Sequence, residues 1–164
     1  MTAQLAETLH YQNRQLAMCT TPLSQFQAIS GGPHFQPGST ALWRGYRGCW
    51  EIIDDRLYLV KLNGTLSNGE QATLATVFPG FPDRVFAHWY TGVIRIPQGQ
   101  LLEYVHAGYG SRYEQDLLLE FSHGVLMNSQ VRHNGTSSGA SDSGGYTIAA
   151  MTTLATAPEG EDKP

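Results

Sequence analysis

Apolar and polar positions alternate along much of this chain, most clearly around Asp54-Asp55. Successive side chains on an extended strand point to opposite faces. With Ile53 opposite Arg56, the segment ALWRGYRGCWEIIDDRLYLVKL puts Trp50, Ile52, Leu57 and Leu59 on one face and Glu51 and Tyr58 on the other. That register predicts a hairpin with one buried face. HYQNRQLAMC, interrupted at Gln12-Asn13-Arg14, predicts an earlier hairpin. TPLSQFQAI, running on from Pro22, fits one helical turn, and residues 31–39 read as loop. Asn-Gly pairs at 63–64 and 68–69 suggest two turns. ATLATVF is either strand or short helix, ended by Pro79 and Pro82.

Further along, VFAHWYTGVIRIPQGQLLEYVHAGY predicts another hairpin, turning at Pro97-Gln98-Gly99 with Arg95 opposite Glu103. DLLLEF and GVLMN predict two strands joined through Ser122-His123-Gly124. The expected fold is mainly β, an antiparallel sandwich or partly open barrel built from hairpins, with at most one short helix. An α+β fold with one small helix is the alternative. Residues 1–133 read as one domain. Residues 134–164 read as a flexible Gly/Ser-rich linker and tail, in which 146–157 could add an edge strand.

Composition narrows the function classes. The 164 residues are 41% hydrophobic, enough for one globular core. A net charge of −4 gives no electrostatic drive toward nucleic-acid phosphates. No segment is apolar enough for a helical membrane span, and the N-terminus lacks a secretory pattern, so a cytoplasmic location is expected. Cys19 and Cys49 lie outside any C-x-x-C motif and are expected to be thiols rather than a disulfide. Only two of the ten basic residues, Lys61 and Lys163, are lysines. Arginine forms planar, two-pronged bonds to carboxylates and phosphates, although ordinary structural pairs account for the same bias.

Three stretches carry candidate chemistry. YVHAGYGSRYEQDLLLEF brings His106, Tyr109, Arg112, Tyr113 and Glu114 together between two strands. A histidine near a carboxylate can move protons, an arginine can hold an anion, and tyrosines can wall a pocket. The same residues equally make a structural turn. AHWYTG adds His88 and Tyr90, sharing a face opposite Trp89; the predicted hairpin would bring His88 toward His106. Two histidines begin a metal site, but a third ligand, from His123, Glu103 or Asp116, is needed, so no metal or other cofactor is expected. In WRGYRGCW, Arg44 and Arg47 could contact bases, or Trp43, Tyr46 and Trp50 could fill the core and its rim while Gly45 and Gly48 let strands bend or pack closely. Hydrolase, phosphate-loop, dinucleotide and zinc-protease motifs are absent from the sequence.

WRGYRGCWEI, FAHWYTGVIRIPQGQLLEYVHAGYGSRYE and DLLLEF resemble segments of a group of small uncharacterised bacterial proteins carrying W-R-G-Y and G-Y-x-S-x-Y-E. The resemblance covers residues 40–127 and implies a bacterial, cytosolic, single-domain protein with no particular activity. The reading reached is a non-catalytic binding or accessory module. It recognises a protein partner or a small anionic ligand through His88, Tyr90, His106, Tyr109, Arg112, Tyr113 and Glu114. A small hydrolase using His106 with Glu114 and His88 is the first alternative. A subunit that oligomerises through an edge strand is the second.

Overall fold

The computed structural model describes residues 3–105 and 108–135; the expected linker, tail and 146–157 edge strand lie outside the described residues, apart from Asn134 and Gly135. Strands β1 (Glu7–Tyr11) and β2 (Arg14–Met18) form the first hairpin. Its turn residues Gln12 and Asn13 both take positive φ, the backbone twist that two-residue hairpin turns favour. Helix α1 (Leu23–Ser30) follows, longer than the single turn expected. The loop over 31–39 leads through a 3₁₀ turn at Thr40–Leu42 into β3 (Tyr46–Ile53) and β4 (Arg56–Thr65).

The β3–β4 register is the expected one near the turn, with Ile53 opposite Arg56 and Ile52 opposite Leu57. Asp54 and Asp55 both adopt positive φ there. A bulge between Cys49 and Trp50 then shifts the pairing by one residue. Asn63-Gly64 is not a turn: it lies inside β4, with Gly64 opposite Tyr46. A Cβ on Gly64 would stand 2.6 Å from the Gly45 carbonyl oxygen, so glycine serves close packing at this position. Asn68-Gly69 does turn the chain, into the short strand β5 (Gln71–Ala72) and the one-turn helix α2 (Leu74–Val77).

After β6 (Val85–Phe86) come three long strands, β7 (Gly92–Glu103), β8 (Arg112–Ser122) and β9 (Val125–His133). β7 is continuous, so the hairpin expected at Pro97-Gln98-Gly99 does not form. Pro97 and Gln98 stay paired with β8, and a bulge follows at Gly99-Gln100. Gly99 takes a φ of 84° there, and the Glu114 carboxylate accepts the Gln100 N–H at 2.9 Å, occupying the irregular gap in the ladder. Consequently Glu103 pairs with Arg112, and Arg95 lies opposite Leu118.

The sheet order is β2-β1-β3-β4-β9-β8-β7, with β5 and β6 on β4, and β1 runs parallel to β3. β4 meets β9 only where the two hairpin tips touch, at Arg56 and Val125. The far edges curl toward each other, and the Cys19 amide donates to the Arg95 carbonyl at 2.8 Å. The sheet is curled and mixed but does not close into a barrel. Its concave side holds Leu9, Trp50, Leu57, Leu59, Ile94, Ile96, Leu119 and Phe121, each essentially without solvent exposure. Complete burial of side chains this size stabilises by about 1.5–3 kcal/mol each. No helix among the described residues is long and apolar enough to cross a membrane.

Candidate functional site

The inward positions of β1 and β3 set a polar group into the apolar concave side. Glu7 and Leu9 point inward from β1; Tyr46, Gly48 and Trp50 do so from β3. Glu7 is 1% exposed. Its Oε1 accepts the Trp50 Nε1–H at 2.7 Å, and its Oε2 accepts the Arg44 Nε–H at 3.0 Å. The Gly48 backbone N–H is a third donor. Gly48 is required by the geometry, because a Cβ there would lie 2.8 Å from Trp50 Nε1 and 2.9 Å from Glu7 Oε1.

Burial pushes the Glu7 carboxyl above its ordinary value, and Arg44, Trp50 and Gly48 pull it back. Every group touching the carboxylate is a donor, which limits the rise that burial causes. Arg44 also lies over the Tyr46 ring, 5.3 Å from its centroid. Two atoms of this cluster, Arg44 Nη2 and the Tyr46 hydroxyl, are buried without a hydrogen-bond partner.

Beside the cluster, at the open end of the curled sheet, is a cavity of about 550 Å³. Gln4, Thr21, Thr40, Trp43, Arg44, Gly108 and Tyr109 line it, and its accessible wall is almost wholly apolar. Trp43 is 66% exposed at the end of the 3₁₀ turn. Its backbone N–H is held by Gln4 Oε1 at 2.8 Å, so the position of the ring's attachment is fixed while the ring itself meets solvent.

The loop that forms the opposite wall is fastened from several sides. The Gly108 carbonyl accepts the Gln4 amide, and the Tyr109 hydroxyl donates to the Leu5 carbonyl. From beneath, Arg95 donates to the carbonyls of Tyr109 and Ser111, each at 2.7 Å, and to Asp116 at 2.9 Å. Asp116, also 1% exposed, takes further bonds from Arg132 at 2.6 Å and Asn134 at 3.0 Å. Burial raises its pKa, but the bonds from Arg132, Asn134 and Arg95 outweigh that and hold the carboxyl below its ordinary value.

The residues singled out in the sequence divide into separate places. Tyr109 lines the cavity, and burial pushes its phenol up to about 12. Arg112 is exposed on the strand end, paired with Glu103 at 3.1 Å. Tyr113 gives its carbonyl to Asn134, and Glu114 is committed to the β7 bulge. His106 lies outside the described residues.

His88 and Tyr90 sit beyond the opposite end of β7, because β7 runs straight instead of folding back. The expected alternation at 88–90 also fails. The Tyr90 amide bonds to Ala87 in a turn, which buries both Trp89 and Tyr90 and leaves His88 exposed. Tyr90 packs on Phe121, and Trp89 donates to the Pro22 carbonyl. His88 therefore does not approach Gly110, and among the described residues no three His, Cys, Asp or Glu side chains converge as a metal site. Cys19 and Cys49 are free, half-buried thiols.

Gln4, Glu7 and Trp43 were not predicted as site residues. The one sequence signal for Glu7 was an acidic residue at an inward position of an alternating strand. No family model, curated protein or solved structure matches the chain.

Proposed function

We propose that the protein is a non-catalytic binding module whose ligand is a small molecule seated in the cavity between Trp43 and Tyr109. The observation that carries this reading is the cavity itself: about 550 Å³, apolar-walled, and fitted over a buried ion pair. Small-molecule sites combine that range of volume with mostly apolar walls and a few placed polar groups. Both walls are anchored by hydrogen bonds, so the site exists before a ligand arrives and little ordering cost remains. A binding role is favoured over hydrolysis because Glu114 is held by a backbone amide and His88 is at the other end of the sheet. Assembly through an edge strand is less favoured, since the two outermost strands approach each other at Cys19 and Arg95.

The test uses prodan, an uncharged naphthalene ketone that brightens in apolar surroundings. One molecule is expected to bind per chain, saturably. Thr40→Trp, which places an indole at the mouth, is expected to abolish binding while the thermal midpoint stays within about 2 °C, as surface changes usually do. Absence of saturable binding, or binding that persists in Thr40→Trp, overturns the reading.

A further inference from the structure

Arginines beside aromatic rings invite the assignment of an anion site. We propose instead that the cavity selects an uncharged, predominantly apolar molecule and disfavours a carboxylate of the same shape. This rests on the cavity being the ligand site.

The cations near the cavity are already committed. Arg44 donates to Glu7 at 3.0 Å, with side-chain exposures of 15% and 0%, so its guanidinium is engaged by a buried carboxyl and not by the cavity. Arg47 projects from the opposite face of β3 and donates to the Ala6 carbonyl at 3.1 Å. Arg95 spends its guanidinium on Asp116 and on the carbonyls of Tyr109 and Ser111. An anion entering the cavity would meet an almost wholly apolar accessible wall, with the lining guanidinium of Arg44 turned to the Glu7 carboxylate. Much of the anion's lost hydration therefore stays uncompensated.

An uncharged ligand incurs no such loss and gains from apolar contact with Trp43 and Tyr109. The class expected is therefore a flat or compact, uncharged and predominantly apolar molecule.

The experiment is competition against bound prodan on the full chain at pH 7.5. The competitors are 2-acetylnaphthalene and 2-naphthoate, which share a ring system and differ in charge. The ketone is expected to displace prodan at concentrations at least tenfold lower than the carboxylate. If prodan binds at the mouth but naphthoate competes equally well or better, the neutral-ligand inference falls while the binding-module reading stands. If prodan itself shows no saturable, Thr40-sensitive binding, both fall together.

Discussion

Glu7 and Asp116 are two carboxylates equally hidden from solvent, each 1% exposed, yet their surroundings move them in opposite directions. Glu7 is raised because burial outweighs one arginine, one indole and one amide. Asp116 is lowered because Arg132, Asn134 and Arg95 all donate to it and outweigh a shallower burial. Their partners differ as well. Arg44 is 15% exposed, whereas Arg132 keeps 46% of its side chain in solvent. The Glu7 pair meets solvent through Arg44 at the cavity wall, and the Asp116 cluster is a clamp closed from the surface. Glu7 also lies deeper in the protein than Asp116, so the depth of the carboxylate and the number of its donors together distinguish them.

Replacing each carboxylate tests that distinction most severely. Glu7→Ala leaves Arg44, only 15% exposed, at the cavity wall without its counter-ion. Removing one partner of a buried pair costs about 3–5 kcal/mol. The urea midpoint should fall accordingly, and a loss below about 1 kcal/mol would show that Arg44 escapes to solvent. Asp116→Ala frees Arg132, 46% exposed, to hydrate where it stands, and leaves Arg95 its bonds to the Tyr109 and Ser111 carbonyls. The expected loss is smaller, about 1.5–3 kcal/mol, the scale of hydrogen bonds to a charged group. It should also loosen the 109–111 wall and weaken prodan binding, which Glu7→Ala need not do through that route. Equal losses in the two variants would remove the contrast.

The two regions were also unequally legible in the sequence. The β3–β4 hairpin was readable because Trp50, Leu57 and Leu59 alternate cleanly and Asp54-Asp55 sits at the reversal. Gly45 and Gly48 were readable as packing glycines, and a Cβ on Gly45 would indeed stand 2.1 Å from the Gln36 carbonyl oxygen. The β7 hairpin was misread because Pro-Gln-Gly carries the same residues whether it reverses a strand or bulges it. What decided the outcome was β8, whose long apolar run offered β7 a partner along its whole length. From that one error followed the false approach of His88 to the 106–114 loop. The Glu7–Arg44 contact was not legible, because it joins residues 37 apart through a parallel pairing that no local turn encodes.

Acid titration of stability separates the two carboxylates by sign. For Glu7 the folded-state pKa stands above its ordinary 4.5, so the folded state binds the proton more tightly than the unfolded chain. Its contribution therefore improves as pH falls through the folded pKa toward 4.5, and is lost as pH rises through it. For Asp116 the folded pKa stands below its ordinary 3.8, so its contribution is complete above 3.8 and is lost as pH falls below that value. Urea midpoints measured across the acid range should change slope in these two windows. Glu7→Gln should flatten the upper one alone and Asp116→Asn the lower one alone. A variant that altered the other's window would show that the clusters are coupled through the 109–111 loop.

The smallest effect is expected at Arg112, the residue that looked most like an anion ligand in the sequence. Its guanidinium donates to Glu103 at 3.1 Å, but the two side chains are 50% and 58% exposed. Exposed pairs of this kind contribute about 0.2–1 kcal/mol and are screened by salt. It makes a second, longer contact of 3.4 Å to the Asn134 carbonyl, near the Asp116 clamp but not within it. Arg112→Ala should therefore lower the urea midpoint by less than about 1 kcal/mol, with the difference shrinking in 0.5 M salt. Prodan affinity should be unchanged, because Arg112 is not among the residues that line the cavity. A several-fold loss of affinity would place the binding surface on the 112–114 strand end and remove the cavity from the account.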